Sequence, residues 1–313
     1  MGGFIKIVFL GTPDIACPFL SELYKNGINI VGVITKMDSR AGRGLLPVSP
    51  AIKCAALEMK LPVFQPLNNG ELKKILLDLK PDLGVVVAYS RLLKKEILDL
   101  LPYGFINAHF SLLPKYRGAA PVRWAVANGE KKTGITIFKI DENMDSGPII
   151  MQKEVSVGEN ENSIDIFNKL VDIGKIALLD SIKSIAENKA NYIPQSGEIT
   201  FAPKIKMNDT FINFKKDEAY KIHNYVRAFC FEPRARFVSS KEKLIQIISA
   251  KYMEKDFDFP PGSICAFEKH KGIFIKCQKG SIFLEKIKPE SKNEINSYDY
   301  FINGLRLKIG ELI

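Results

Sequence analysis

Short apolar runs alternate with amphipathic stretches along the first 110 residues. The runs FIKIVFL, INIVGVI, LGVVVAY and GFINAH are rich in β-branched and aromatic residues and predict four strands. Helices are predicted between them at 13–25 and over AIKCAALEM, ELKKILLDL and LLKKEILDLL. Strands that alternate with helices need crossover connections, which produce a parallel sheet covered by helices on both faces.

The carboxyl ends of these strands are where we expect chemistry, because ligands of open α/β sheets bind along that edge. The segment GTPD follows the first strand, AYS follows the third, and NAHFS follows the fourth. The chain has three histidines, and His109 lies in the last of these segments. Its position therefore favours a functional role over that of an ordinary turn residue.

The chain from Pro121 to residue 206 predicts one short helix, two strands and one long helix. VRWAVANG is helical, and TGITIFKID and PIIMQKEVSV are strands that flank the polar turn ENMDSG. A long amphipathic helix is predicted at 163–188, with Ser163 as its N-cap. The Pro- and Gly-containing stretch YIPQSGEITFAPKI that follows has little helical character and is typical of a linker.

Beyond Met207 the pattern becomes one of short strands. A helix at 216–228 precedes the runs ARFVS, LIQIISAKYM, GSICAFE, GIFIKC and SIFLEKIK, which Gly and Pro separate. Five strands at this spacing are typical of a small β-barrel of the oligonucleotide-binding (OB) kind.

The predicted fold is therefore a Rossmann-like, mostly parallel sheet with helices on both faces, followed by a small OB-like β-barrel. A chain of 313 residues is long enough for two domains. We expect the first at 1–190, a linker at 191–206 and the second at 207–313.

Composition limits the environment of the protein. The five cysteines are scattered without a CxxC pair, which argues against a disulfide framework or a zinc site. No apolar run approaches the roughly 20 residues that span a bilayer. FIKIVFL is too short for a signal peptide, and no small-residue cleavage site follows it. We therefore expect a cytoplasmic protein without a membrane partner.

The net charge of +10 is unevenly distributed. Residues 207–313 contain 19 Lys and Arg against 14 Asp and Glu, an excess of five, and the first 206 residues carry the same excess over twice the length. A basic domain favours a polyanionic partner, because binding to phosphates releases counterions. Among its basic residues, Arg227, Arg234 and Arg236 are candidates for phosphate contacts, and His223 is expected at the surface.

Asn107 and His109 form the first chemical constellation. Side chains alternate along a strand, so these two residues lie on the same face. An amide donor beside a titratable ring suits addition to a carbonyl group, in which negative charge develops on oxygen. A carboxylate is then needed to orient the imidazole. From the residues alone, Asp141, Glu142 and Asp145 are equally available in the turn that follows.

The loop SLLPKYRGAAPV contains the second group of candidate functional residues. Two leucines followed by Pro114 create an irregular backbone with an apolar surface. Free backbone groups there can hydrogen-bond a heteroaromatic ring while Leu112 and Leu113 pack on its faces. A loop that merely packs on the sheet would have the same composition.

The blocks NAHFSLLPKYRGAAP, FLGTPDIACPFL, AGRG and GITIFKIDENMDSGPI together resemble the formyltetrahydrofolate-dependent formyltransferases, and the resemblance extends over essentially the whole chain. It implies a catalytic triad and a folate site. The triad is Asn107, His109 and Asp145, and the folate site is lined by Ser111, Leu112, Leu113 and Pro114. It also implies 10-formyltetrahydrofolate as co-substrate, with no metal ion.

The same resemblance implies a nucleic-acid partner. The acceptor would be the α-amine of methionine on initiator tRNA, as in translation initiation, and Arg43 of the AGRG loop would contact that tRNA. Relatives often carry two lysines after this motif, whereas this chain has Leu45 and Leu46. We expect the protein to act as a monomer.

Three other functions are compatible with the same residues. A formyltetrahydrofolate hydrolase or a sugar-amine formyltransferase would use the triad with water or an amino sugar, but neither accounts for both the AGRG loop and the basic barrel. A non-catalytic RNA-binding protein with the same fold is the third. Intact Asn107, His109 and Asp145 argue against it.

Overall fold

The computed structural model describes residues 5–41 and 46–313. The chain forms two compact units. Unit 1 comprises Met1–Gly118, Lys132–Val155 and Phe167–Phe201, and unit 2 comprises Ala119–Lys131, Ser156–Ile166 and Ala202–Ile313. The second unit thus includes two segments from the middle of the chain in addition to the C-terminal third.

Seven helices are present in the described residues. They are α1 (Cys17–Lys25), α2 (Ala51–Glu58), α3 (Asn69–Leu79), α4 (Lys95–Leu98), α5 (Pro121–Ala127), α6 (Ser163–Ala186) and α7 (Ala219–Ala228). Short 3-10 turns at Asp14–Ala16 and Met207–Thr210 precede α1 and α7, and a π-helical turn covers Asp299–Gly304. None of these helices is long and apolar enough to cross a membrane.

Unit 1 is built on a seven-stranded sheet. Its chain segments contribute β1 (Lys6–Gly11), β2 (Asn29–Ile34), β3 (Ser39–Ala41), β4 (Leu46–Val48), β5 (Val63–Phe64), β6 (Leu83–Val87), β7 (Phe105–His109), β8 (Lys132–Lys139) and β9 (Ile149–Ser156). The order in the sheet is β5-β2-β1-β6-β7-β8-β9, and β3 and β4 pair separately as a hairpin. The first five strands in this order run parallel, and β8 is antiparallel to β7.

Strand β1, which lies between β2 and β6, is buried on both faces, and this explains its continuous apolar sequence. Val8 and Leu10 pack in one core cluster with the apolar residues of α3 and α4. The alternate residues Ile7 and Phe9 point to the other side and are also fully buried. The predicted mostly parallel sheet with flanking helices is confirmed.

Unit 2 contains a separate antiparallel sheet. Its strands are β10 (Arg236–Val238), β11 (Leu244–Met253), β12 (Ile264–Glu268), β13 (Gly272–Lys276), β14 (Ser281–Pro289) and β15 (Ile295–Asn296). The order is β10-β11-β14-β13-β12, and β15 adds to β14. The five strand-like runs of the sequence correspond to β10 to β14, so the predicted C-terminal β domain is confirmed.

Several local predictions need correction. The helix expected over LLKKEILDLL shortens to the four residues of α4. The N-cap of α6 is Asn162, whose Oδ1 accepts the backbone N–H groups of Ile164 and Asp165 at 2.8 and 3.2 Å. The Ser163 hydroxyl instead donates to the Ala228 carbonyl at 2.7 Å.

Two of the three arginines named as candidates for phosphate contacts are buried in unit 2. Arg227 is 6% exposed and donates to the carbonyls of Gly158 and Glu161, both at 2.9 Å. Arg236 is 2% exposed and donates to the Thr210 hydroxyl. His223 was also expected at the surface and is 7% exposed. The two guanidinium groups hold loops in place, because each offers several donors to buried acceptors.

Gly84 shows how closely the sheet of unit 1 is packed. It lies opposite Phe105 in the pairing of β6 with β7, and a Cβ atom at this position would overlap the Phe105 ring. A strand interior ordinarily disfavours glycine. Here the ring needs the space.

We predict that Gly84→Ala lowers the free energy of unfolding by about 1–3 kcal/mol, because it overpacks a closed core. Urea unfolding measures the change. In the double variant Gly84→Ala/Phe105→Leu the smaller side chain relieves the overlap, so its cost should be less than the sum of the two single costs. Additive costs would show that the overlap is not the cause.

Candidate active site

Asn107 and His109 lie at the carboxyl end of β7, on the same face of the strand, as the sequence predicted. Asn107 pairs with Val86 of β6 and Phe138 of β8, and His109 pairs with Thr136. The imidazole is 5% exposed, whereas Asn107 is half-buried. Among the described residues no group hydrogen-bonds to the Asn107 amide, so its N–H groups are free for a ligand.

The His109 ring has one polar neighbour at each nitrogen. Nε2 lies 2.9 Å from the Tyr116 carbonyl oxygen, and Nδ1 lies 3.6 Å from Oδ2 of Asp145. A carbonyl only accepts, so Nε2 must carry the hydrogen. In the neutral ring Nδ1 is then a bare acceptor beside a carboxylate, and in the charged ring it is the donor of an ion pair.

Burial sets the charge of this ring in the absence of a ligand. Desolvation lowers the pKa of the His109 imidazole below its ordinary value of 6.5, while the Asp145 carboxylate and the hydrogen bond to Tyr116 act in the opposite direction. The net direction is down. At neutral pH the ring is therefore neutral, and its Nδ1 can accept a proton.

Of the three carboxylates in the turn after β8, Asp145 is the one at His109. Its Oδ2 also accepts the Gly118 backbone N–H at 2.8 Å. Asp141 instead accepts the Ser146 hydroxyl at 2.7 Å, and Glu142 lies 3.2 Å from Lys95. The geometry thus separates residues that the pattern of the sequence left equivalent.

The four candidate folate-site residues in the loop after β7 differ in burial and fall into two pairs. Ser111 and Leu113 are buried: the Ser111 hydroxyl donates to the Lys115 carbonyl at 2.6 Å, and the Leu113 N–H donates to the Thr136 hydroxyl at 3.2 Å. Leu112 and Pro114 are half-buried. The first pair fixes the loop, and the second leaves apolar surface available to a ligand.

Sequence reasoning missed a polar clamp on this loop. The side-chain amide of Gln152 in β9 donates to the Leu113 carbonyl at 2.8 Å and to the Thr136 hydroxyl at 2.9 Å. The same hydroxyl donates to the Ser111 carbonyl at 2.6 Å. No local pattern marks Gln152 or Thr136, because their partners are distant in the chain.

Arg43 lies outside the described residues, as does Leu45. The structure does describe a polar network among residues that precede and follow this stretch in the chain. Lys53 Nζ lies 2.8 Å from Asp38 and 2.9 Å from the Gln65 side-chain oxygen, and the Gln65 amide donates to the Lys36 carbonyl at 2.6 Å. The Lys53 ammonium lowers the pKa of Asp38.

Metal-ligand chemistry gains no support from the side chains at hand. Within residues 5–41 and 46–313 no group of three or more His, Cys, Asp or Glu residues is arranged to hold an ion. The site described above instead consists of one amide, one imidazole and one carboxylate.

Comparison with known families assigns both parts of the chain. Residues 5–182 match the family described as formyl transferase, and residues 204–306 match the formyl transferase C-terminal domain. Methionyl-tRNA formyltransferase from Thermosipho melanesiensis is 41% identical over 98% of this chain and 99% of its own. The protein of that name from Pseudothermotoga lettingae is 40% identical over 97% and 98%.

Solved structures show the same fold at lower identity. An N-formyltransferase from Helicobacter canadensis, in complex with folinic acid and dTDP-3-aminofucose, superposes with a TM-score of 0.70 at 24% identity, over 90% of this chain and 99% of that one. HypX from Aquifex aeolicus in complex with tetrahydrofolic acid superposes with a TM-score of 0.67 at 16% identity. The match covers 96% of this chain and 48% of that one.

We predict that Asp145→Asn lowers the pKa of His109 further, because it removes the negative charge that favours the imidazolium. The amide oxygen of the new side chain still accepts the Gly118 N–H. NMR titration of the histidine rings measures the shift. His223 lies in unit 2 against the Glu159 carbonyl and serves as internal control. An unchanged or higher His109 pKa would contradict the pairing.

Proposed function

We propose that this chain, which belongs to the formyl transferase family, transfers the formyl group of 10-formyltetrahydrofolate to the free α-amine of methionine on initiator Met-tRNA. The observation that carries the proposal is the placement of His109 between the Tyr116 carbonyl and Asp145, on the same strand face as the Asn107 amide. It supports carbonyl addition in a chain whose relatives at 33–41% identity are named for that reaction.

In the proposed mechanism His109 moves the proton and Asn107 binds the oxyanion. The neutral amine attacks the formyl carbon, and the Asn107 N–H donates to the oxygen as it becomes negative. Nδ1 of His109 accepts the proton that the attacking nitrogen loses, since Nε2 already carries one. The adjacent Asp145 carboxylate stabilises the imidazolium. Nδ1 then gives the proton to the departing folate nitrogen as its bond to the formyl carbon breaks.

The loop after β7 supplies the folate site in this proposal. Leu112 and Pro114 are half-buried and offer apolar surface to the pterin ring, while Ser111 and Leu113 anchor the loop beneath it. Apolar walls with a few fixed polar groups are typical of such sites. The backbone of the loop would read the polar edge of the ring.

The tRNA is the polyanionic partner that the basic charge of residues 207–313 favours. We assign formyl transfer to residues 1–190, a connecting role to 191–206 and tRNA binding to 207–313, together with Arg43. We further propose that the protein acts as a cytoplasmic monomer.

The alternatives of a hydrolase or a sugar-amine formyltransferase are weaker. The sugar-modifying enzymes among the solved structures are 24% identical or less, so their likeness supports the fold alone. The direct test of the proposed function is incubation of the protein with 10-formyltetrahydrofolate and Met-tRNA, followed by detection of formylmethionine. Amino sugars and water are the competing acceptors to assay.

His109→Ala should reduce kcat for formyl transfer by about 10²–10⁴-fold, because it removes the group that moves the proton. The affinity for Met-tRNA should stay near the wild-type value, since the ring is buried and offers little surface for a phosphate contact. Single-turnover assays and tRNA binding measure the two effects. A variant within threefold of wild-type activity would remove His109 from the mechanism.

Arg43→Ala should reduce transfer to Met-tRNA much more than it reduces hydrolysis of the formylfolate without tRNA, because the arginine is assigned to the tRNA and not to the folate. The ratio of the two rates is the measurement. Arg43→Lys keeps the charge and is the matched control. Equal losses in both reactions would place Arg43 at the folate site.

A further inference from the structure

The segment 191–200 carries two residues that differ from all their neighbours. Gln195 and Thr200 are half-buried, whereas the other residues of the segment are exposed. The sequence predicted a linker here, and the segment contains no helix or strand of its own. Its two half-buried side chains nevertheless bind the residues that surround His109.

Gln195 fixes the turn that carries Asp145. Its Nε2 donates to the carbonyl oxygens of Asp145 and Gly147, both at 2.9 Å. Its Oε1 accepts a hydrogen bond from the Arg117 guanidinium at 2.7 Å. Because a guanidinium only donates, the amide orientation is determined: oxygen faces Arg117 and nitrogen faces the two carbonyls.

Thr200 fixes the residue on the other side of the ring. Its hydroxyl accepts the Tyr116 backbone N–H at 2.9 Å, and its carbonyl accepts the Arg117 N–H at 2.9 Å. Tyr116 is the residue whose carbonyl binds His109 Nε2. The peptide groups before and after Tyr116 are therefore tied to Thr200 and to His109.

Both partners of His109 have a backbone conformation that needs such support. Tyr116 and Asp145 have φ values of +61° and +52°, in the left-handed region that residues with side chains rarely occupy. Residues of this kind persist where the surrounding structure holds them. Gln195 and Thr200 supply hydrogen bonds to these two residues.

We propose that Gln195 and Thr200 are positioning residues, which hold Asp145 and Tyr116 at the two nitrogens of His109 and so keep the ring in its reactive tautomer and orientation. Neither contacts the reacting atoms. This inference rests on the proposed function, since the ring it positions is the one assigned to proton transfer. A misplacement of about 1 Å in such a group can reduce a rate by about 10²-fold.

The charged and polar groups around the ring define the expected effect on its titration. Asp145 comes from the turn after β8, the Tyr116 carbonyl comes from the loop after β7, and the Phe138 ring of β8 packs edge-on without charge. Asp145 and Tyr116 both favour the imidazolium. If either group moves away, less opposes the effect of burial, and the pKa of His109 falls further.

The test uses the full chain with one substitution at each contact. Gln195→Met keeps the length of the side chain without donors, and Thr200→Val keeps its shape without the hydroxyl. Each should reduce kcat by about 10–100-fold with KM for both substrates within about threefold, and should lower the NMR-measured pKa of His109. Thr200→Ser, which keeps the hydroxyl, should restore kcat to within about threefold of wild type.

Ser196→Ala is the matched control, because Ser196 is an exposed neighbour of Gln195 in the same segment. It should leave kcat and the His109 titration unchanged. Thermal unfolding of every variant shows whether lost activity reflects lost folded protein. Wild-type kcat in folded Gln195→Met and Thr200→Val would overturn the inference, as would a Thr200→Ser variant no better than Thr200→Val.

The outcome for the proposed function is separate. If wild-type protein transfers no formyl group to Met-tRNA, the proposed function fails, whatever the variants do. The His109 titration needs no substrate, so it still reports whether Gln195 and Thr200 hold the ring. An unchanged His109 pKa in both folded variants would overturn the positioning role independently of any activity.

Discussion

The hydrogen bond from His109 Nε2 to the Tyr116 carbonyl is the constraint on which the rest of the site depends. It determines which ring nitrogen carries the hydrogen, and therefore leaves Nδ1 as the nitrogen that exchanges a proton. Because the ring is 5% exposed, water is not available to satisfy either nitrogen in another orientation. Asp145 and Asn107 have defined roles only in relation to this fixed ring.

The sheet supplies the ring, and irregular segments supply the polar group at each of its two nitrogens. Gly118 lies in the loop after β7 and binds the carboxylate of Asp145, which belongs to the turn after β8. Gln195 of the segment 191–200 then links this loop to this turn, because it hydrogen-bonds to Arg117 in the loop and to the Asp145 carbonyl in the turn. A rigid parallel sheet with loops that hold each other is a common arrangement for catalytic groups. Here side-chain amides and hydroxyls supply hydrogen bonds that fix the loops.

The sequence predicted what local patterns encode. Apolar periodicity located the long strands and α6, since those elements bury one or both faces over several residues. It missed β5, which has two residues, and it overextended α4, because amphipathic spacing continues where the backbone does not. Alternation along the strand made Asn107 and His109 candidates, and the resemblance to a family selected Asp145. Gln195 and Thr200 depend on contacts across 48 or more residues, and no local pattern contains that information.

The count of basic residues was a poor guide to the charged surface of residues 207–313, because a count ignores which side chains are buried. Two of the four arginines in residues 207–313, Arg227 and Arg236, bind carbonyl and hydroxyl groups in the interior of unit 2. Arginine suits this task, since its planar group presents several fixed donors. Of the 19 basic residues in this range 15 are lysines, which act as point charges on flexible stems. Contacts of that kind attract a phosphate backbone without reading its bases. Under the proposed function, the choice among tRNAs must then depend on groups other than these lysines.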